Sequence, residues 1–413
     1  FSPYRHGGYS MRTTAGTSLN IPASTDNQFT GDFTIEAWVY SLGTGDKSLY
    51  VHGTYFAFNV NFGSGFNIYL NSGGPSFSPT DIVPAANEWN HVALVRSGST
   101  VSVYLNGVAS ATTATNSATL GYNSIAYIGG LGTNSGGSMN GYIADFRAVN
   151  GSAVYTSNFT PPTERPTAIT NTSVLTCHLP YLADGSTNNK NLTASGTLST
   201  EPFAPYDAQE YSAGSHGGSM YFDGSGDGVS AANHTSFDIG SGDFTIETWF
   251  YSSNPDNGNI FGKGDSTTTS GTSFWMSGGS GSGLYLFHGG SYTIMQTGAL
   301  PVNQWTHLAF VRNGTNLSTY INGTSVHSTT ASITVNTTSN ELDIGYYPAT
   351  AWIGNLEDFR FVKGTAVYTS NFTPPTAPLT AITNTSLLLN GTNAGIIDKS
   401  QSNKLLTLTG DTK

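Results

Sequence analysis

The sequence predicts an all-β protein built as two tandem antiparallel β-sandwiches, residues 1–200 and 201–413. Three observations carry that reading. Nearly the whole chain repeats once at a near-constant offset. The apolar residues inside each repeat alternate with period two, and the polar residues are mainly neutral Ser, Thr, Asn and Gly, which suit turns and strand surfaces better than helices.

The repeat is read from matched stretches. GDFTIEAWVY (residues 31–40) returns as GDFTIETWFY (242–251), and EWNHVALVRSGSTVSVYLNG (88–107) as QWTHLAFVRNGTNLSTYING (304–323). ADFRAVNGSAVYTSNFTPPT (144–163) returns as EDFRFVKGTAVYTSNFTPPT (357–376), with Tyr155 and Tyr368 213 positions apart. A period of that length means two copies of a whole domain, since solenoid units run to about 20–50 residues. PYRHGGYSM at the start resembles PYDAQEYSAGSHGGSM after residue 204, so the second unit begins near Glu201 to Pro205. NKLLTLTGDTK at the end matches NKNLTASGTLS of the first unit, and FSPYRHGGYS carries neither an initiator Met nor a basic-then-apolar leader. Both features predict an excerpt from a longer tandem array.

Within each unit the strands are legible. Phe33, Ile35, Ala37 and Val39 fall on one face and Thr34, Glu36, Trp38 and Tyr40 on the other, as in a strand covered on both sides. VALVRSGSTVSVYLNGV reads as a hairpin turning at residues 97–99, with Asn106-Gly107 starting a second turn. No window shows a helical stripe. Two packed sheets are then needed to bury aromatics that a single sheet would leave in water.

Composition excludes several function classes. The chain has 14 basic and 25 acidic residues, 9% charged against about 25% in an ordinary soluble domain. A net charge of −11 cannot neutralise a run of phosphates, so neither nucleic acid nor an anionic membrane surface is an expected partner. No stretch approaches about 18 apolar residues, so no membrane insertion is expected either. With 37% hydrophobic residues the chain can bury a core, and its single cysteine, Cys177, forbids an intrachain disulfide.

The order GDFTIEAW, then WNHVALVRSGSTVSVYLNG, then GYIADFR resembles the laminin-G-like jelly roll of the concanavalin A-like lectin/glucanase superfamily. The tail GTAVYTSNFTPPT…LTAITNTSLLL resembles the version of that domain found in large structural proteins of marine phages. The resemblance implies a lectin-like, glycan-contacting module on a virion or extracellular surface, with adhesion to host glycans and assembly with other virion or surface subunits into an oligomer. The alternative is a decoration, spike or filament subunit that binds no sugar.

Laminarinase-like members of the superfamily carry Glu-x-Asp-x-x-Glu on one strand, placing two carboxylates for glycoside hydrolysis. Here Glu341 and Asp343 match the first two positions, Tyr346 stands at the third, and the first unit has Ile125-Ala126-Tyr127 instead; no enzyme is predicted. Glu36 and Glu247 are expected to form structural ion pairs with Arg147 and Arg360, because a buried carboxylate is costly unless a guanidinium satisfies it. His91 and His307, beside Trp89 and Trp305, read as core histidines.

For a metal, the resemblance implies Ca²⁺ at a sandwich edge. The acids shared by both copies are the candidate ligands: Asp145, Asp358, Asp32 and Asp243. Asp184 and Asp398 read as turn residues, and Asp223 and Asp227 have only Thr14 and Ser18 opposite them in the first unit. For sugar, loop aromatics beside amides are the candidates: Tyr50, Tyr55 and Tyr122 in the first unit, Trp275, His288, Tyr292, Tyr346, Tyr347 and Trp352 in the second.

Overall fold

A computed structural model of the chain describes residues 2–4, 8–53, 55–130, 137–206, 212–255, 258–264, 274–279, 283–288, 291–330, 339–347, 350–392 and 395–413. Within these, the side chains of residues 213, 214, 274, 275, 279, 288, 291–294, 347 and 350 are not described. The regular structure of the described residues is strand, apart from a four-residue α-helix at Ala213–His216 and 3-10 turns at Thr25–Asn27 and Thr235–Phe237. No helix among them is long and apolar enough to cross a membrane.

Two compact units divide the chain. One comprises Gly7–Gln209, the other Phe1–His6 together with Glu210–Lys413. Packing and sequence repeat therefore divide the chain differently. The residues after the last strand of the first repeat stay with that repeat, and the first few residues of the chain belong with the second.

In the unit spanning 7–209, one sheet runs in the order Ala114–Thr115, Thr100–Leu105, Trp89–Ser97, Phe33–Ser41, Gly141–Asn150, Ser10–Thr13, Ser199–Glu201, with Thr172–Thr176 also on Gly141–Asn150. The second sheet runs Thr193–Ser195, Ser18–Ile21, Ala126–Ile128, Gly45–His52, Phe56–Phe62, Gly65–Leu70. Phe33, Ile35, Ala37 and Val39 from one sheet meet Phe56, Phe58 and Val60 from the other in a single buried cluster. Period-two alternation places them there, since every second side chain of a strand points to the same face.

The other unit repeats the plan. Thr306–Asn313, Phe244–Tyr251 and Ile353–Lys363 are neighbours in its first sheet, and Phe274–Gly279, Asn259–Lys263 and Leu342–Ile344 in its second. Phe244, Ile246 and Phe250 fill its core with Met276, Leu284 and Leu286.

The outer face of the main sheet is covered too, by the AVYTSNFTPPT segment. Tyr155 and Phe159 stack on each other at 3.6 Å and pack over Ala93, Val95 and Tyr104. Phe159 N donates to Gly107 O at 2.9 Å, and Asn158 Oδ1 accepts from Ala109 N at 2.9 Å. Asn106 and Gly107 take φ of 49° and 79°, the two positive values of a type I′ hairpin turn. A Cβ on Gly107 would lie 1.8 Å from Phe159 O, so this turn must carry glycine for the segment to close. Tyr368, Phe372 and Gly323 reproduce the arrangement in the second repeat.

Candidate functional site

The acidic groups of the main sheet come first, because their partners decide whether they are free for chemistry. Glu36 and Arg147 are opposed in register on neighbouring strands. Arg147 donates to Glu36 Oε1 from Nε at 2.8 Å and from Nη2 at 2.6 Å, while Oε2 accepts from the Tyr155 hydroxyl at 2.7 Å and lies 3.1 Å from His91 Nε2. Burial alone would raise the Glu36 carboxyl, but His91, Arg147 and Tyr155 outweigh it and hold it below the usual range. Glu247, Arg360, His307 and Tyr368 form the same group, with Glu247 again lowered. Both carboxylates are saturated by protein partners and buried. His91 and His307 serve in these groups, away from any ligand.

The DFR motif owes its shape to a bulge. The register slips between Ala144 and Arg147, and Asp145 sits at φ 54°. Its carboxylate accepts from the Tyr206 hydroxyl at 2.6 Å, and burial pushes it up to about 7. Asp358, at φ 55°, accepts from the Tyr4 hydroxyl at 2.7 Å and Leu379 N at 2.8 Å, and also from Asn390 Nδ2; burial pushes it up to about 6. Asp32 Oδ1 and Asp243 Oδ1 each accept a turn amide, Gly98 N and Gly314 N, at 2.7 Å. The four candidate metal ligands are thus spread over separate internal hydrogen bonds, and the structure does not gather them around a point.

Among the described residues, three carboxylates do converge elsewhere, at Asp223, Asp227 and Asp411. Asp227 is buried, with Oδ2 accepting Asp223 N and Oδ1 accepting Asp411 N, both at 2.8 Å, and Asp223 Oδ1 accepts Ser225 N at 2.6 Å. Oxygens already committed to backbone amides fit a turn better than the six to eight oxygens of a calcium cradle. Asp184 and Asp398 likewise bond their own loops, each accepting from two backbone amides through Oδ1 and a third through Oδ2.

The candidate sugar-contacting aromatics divide sharply. Tyr50 is 1% exposed and stacks on Phe146 in the core, because it shares the inward face of Gly45–His52. Trp352 is 0% exposed and packs edge-on against Phe250. Neither can meet a ligand. Tyr346 is half-buried, while the side chains of Trp275, His288, Tyr292 and Tyr347 lie outside what is described. Glu341 is exposed, and Asp343, half-buried, is pushed up to about 7 by burial and by Glu341.

Tyr55 and Tyr122 stand apart, at 41% and 46% exposed. The Tyr122 ring lies across Gly53, where a Cβ would come 2.4 Å from Tyr122 Cδ2. Buried His52 holds the loop beneath, its Nε2 3.2 Å from Ser124 O and 3.4 Å from Tyr122 N. Asn71 ties the neighbouring loops together, donating to Tyr55 O from its backbone at 2.9 Å and to Thr119 O from Nδ2 at 2.6 Å. Asn71 Oδ1 and Ser124 Oγ are buried atoms without a hydrogen-bond partner, so neither faces a ligand at the surface. The two presented rings form the one candidate contact surface the described loops build from the sequence-predicted residues.

The profile of the laminin-G-like family described as "Concanavalin A-like lectin/glucanases superfamily" matches residues 13–160 and 206–367. The chain belongs to this superfamily. Three solved structures are similar to the chain at low identity. The mouse laminin α1 chain, domains LG4-5, is 14% identical, with 90% of this chain and 94% of that chain covered and a TM-score of 0.31. A Bacteroides ovatus protein titled "putative carbohydrate binding protein" is 12% identical over 93% and 92%, with a TM-score of 0.38. The heptameric SAP-like pentraxin of Limulus polyphemus is 13% identical, covering 47% of this chain and 94% of its own, with a TM-score of 0.30. No curated protein matches the chain.

Several participants escaped the reading of the sequence. Arg96 is buried, donating from Nε, Nη1 and Nη2 to the carbonyls of Gly31, Ala118 and Phe29 at 2.7, 2.6 and 2.8 Å, which closes the end of the sandwich. The covering role of Tyr155 and Phe159 and the docking of Tyr4 and Tyr206 were also not anticipated. The verbatim return of AVYTSNFTPPT was the available signal for the first.

Proposed function

We propose that the chain is a non-enzymatic, carbohydrate-binding surface protein whose first sandwich contacts neutral glycans through Tyr55 and Tyr122. The observation that carries the reading is the Tyr122 ring, seated on Gly53 and still 46% exposed, with Tyr55 also presented at 41%. An exposed aromatic face can stack on the C–H bonds of a sugar ring.

The non-enzymatic part is supported by the saturation of Glu36 and Glu247 and by Tyr346 at the third position of the glucanase pattern. Placement on a virion or other extracellular surface, with further surface subunits as partners, rests on the likeness of the tail motif to marine phage structural proteins. A glycan array with the full chain tests the proposal. Binding to neutral glycans that falls at least about tenfold in Tyr55→Ala/Tyr122→Ala, with unchanged melting temperature, supports it. No binding by the parent chain leaves the sugar-free decoration, spike or filament subunit as the better reading.

A further inference from the structure

The two Asp-Tyr contacts share a plan that the connectivity of the chain does not explain. In the first repeat, Phe203-Ala204-Pro205-Tyr206 follows directly on the strand Ser199–Glu201. Tyr206 meets Trp38 edge-on at 6.3 Å and bonds Asp145. In the second repeat the same positions, Trp249 and Asp358, are met by Tyr4, edge-on at 6.1 Å and through its hydroxyl at 2.7 Å. Tyr4 belongs to Phe1-Ser2-Pro3-Tyr4, and lies 354 positions from Asp358. The slot therefore holds its segment by contact chemistry and is indifferent to the direction from which the chain arrives.

The two slots differ at several positions, with Cys177 and Arg165 of the first answering to Asn390 and Pro378 of the second, and one pair differs on both sides of the contact at once. Where the first repeat has Ala144 in the sheet and Ala204 in the segment, the second has Glu357 and Ser2. Glu357 is fully buried, with Oε1 3.0 Å from Ser2 Oγ and Oε2 without any partner. The His216 carbonyl is the other acceptor in reach of the single Ser2 hydroxyl hydrogen, and Ser2 Oγ accepts Tyr4 N at 3.2 Å. Gly217, at φ 73°, leaves room for the carboxyl, since a Cβ there would come 2.2 Å from Glu357 Oε1. A buried acid is costly without a polar partner, and Ala at the segment position would supply none. The proline fixes the backbone between the two reading positions, so little conformational freedom is lost on docking.

We propose that the Trp249–Glu357–Asp358 slot is a sequence-reading peptide site whose ligand is a Ser-Pro-Tyr segment, here the chain's own residues 2–4, with Glu357 selecting serine before the proline. The slot around Trp38, Ala144 and Asp145 is its counterpart for Ala-Pro-Tyr. The two segments are not interchangeable, so each sandwich is matched to its own closing peptide.

Two experiments on the full chain test this. In Tyr4→Ala, which loosens the resident segment, the peptide Phe-Ser-Pro-Tyr-Arg-His is titrated against Phe-Ala-Pro-Tyr-Arg-His with tryptophan fluorescence as readout. The serine peptide binds about tenfold tighter, and the preference disappears when Glu357→Ala is added. Equal affinities, or no binding of either peptide to a folded variant, overturn the proposal. In the otherwise unaltered chain, melting temperatures of Ser2→Ala, Glu357→Ala and the double variant form a cycle. Ser2→Ala lowers the melting temperature of the parent more than that of Glu357→Ala, the smaller loss in the second background being the bonds of Ser2 Oγ to the His216 carbonyl and Tyr4 N; equal losses in both backgrounds overturn the reading.

Discussion

Arg147 places both Nε and Nη2 on one oxygen of Glu36, Oε1, at 2.8 and 2.6 Å. This side-on approach leaves Oε2 for His91 and Tyr155, so one carboxylate joins three strands' worth of sheet to the segment that covers it. Arg147 Nη1 continues to Thr167 O at 3.0 Å, fastening the far end of that segment.

Because the guanidinium and the carboxylate are both buried, removing either leaves an unpaired charge. Arg147→Ala and Glu36→Ala each lower stability by about 3–5 kcal/mol in denaturant titrations. The double variant loses less than the sum of the two. Glycan binding through Tyr55 and Tyr122 persists at temperatures where the single variants remain folded. Additive losses, or selective loss of binding without loss of stability, contradict the structural role.

Asp145 gives a pH dependence of the opposite sign to most acids. Its folded pKa, about 7, lies above the unfolded value of about 3.9, so between these the folded state binds more protons and stability falls as pH rises. Asp145→Asn keeps a residue suited to φ 54° and removes the ionisation. Relative to the parent, this variant gains stability between pH 5 and pH 8, on the order of a few kcal/mol. A melting-temperature difference that stays flat over that range contradicts the assignment.

Gly98 and Gly107 both sit in hairpin turns at positive φ, 61° and 79°, but only Gly107 faces a neighbour. A Cβ at Gly98 meets nothing within 4 Å, and one at Gly107 meets Phe159 O at 1.8 Å. Gly98→Ala therefore costs the left-handed backbone alone, about 1 kcal/mol, whereas Gly107→Ala also displaces the covering segment and costs more. Thermal melts of the two variants side by side decide the point, and equal losses count against the segment's role.

The shared aspartates are committed to Tyr206, Tyr4, Gly98 and Gly314. Calcium and a chelator accordingly leave the melting temperature of the chain unchanged. A rise on adding millimolar calcium that Asp227→Asn abolishes would instead assign an ion to the cluster of Asp223, Asp227 and Asp411.

The sequence by itself determined the repeat, the period-two strands, the inward row Phe33, Ile35, Ala37 and Val39, and the pairing of Glu36 with Arg147. All of these depend on spacing along a strand or on identity between copies, which are local quantities. Only the tertiary structure decided that Tyr50 is core and Tyr55 surface, that Tyr155 and Phe159 close the outer face, and that Tyr4 docks on Asp358. A tyrosine reads the same in either setting until the partner sheet or a returning segment is in place. Such closures depend on the path of loops and chain ends, on which alternation along a strand carries no information.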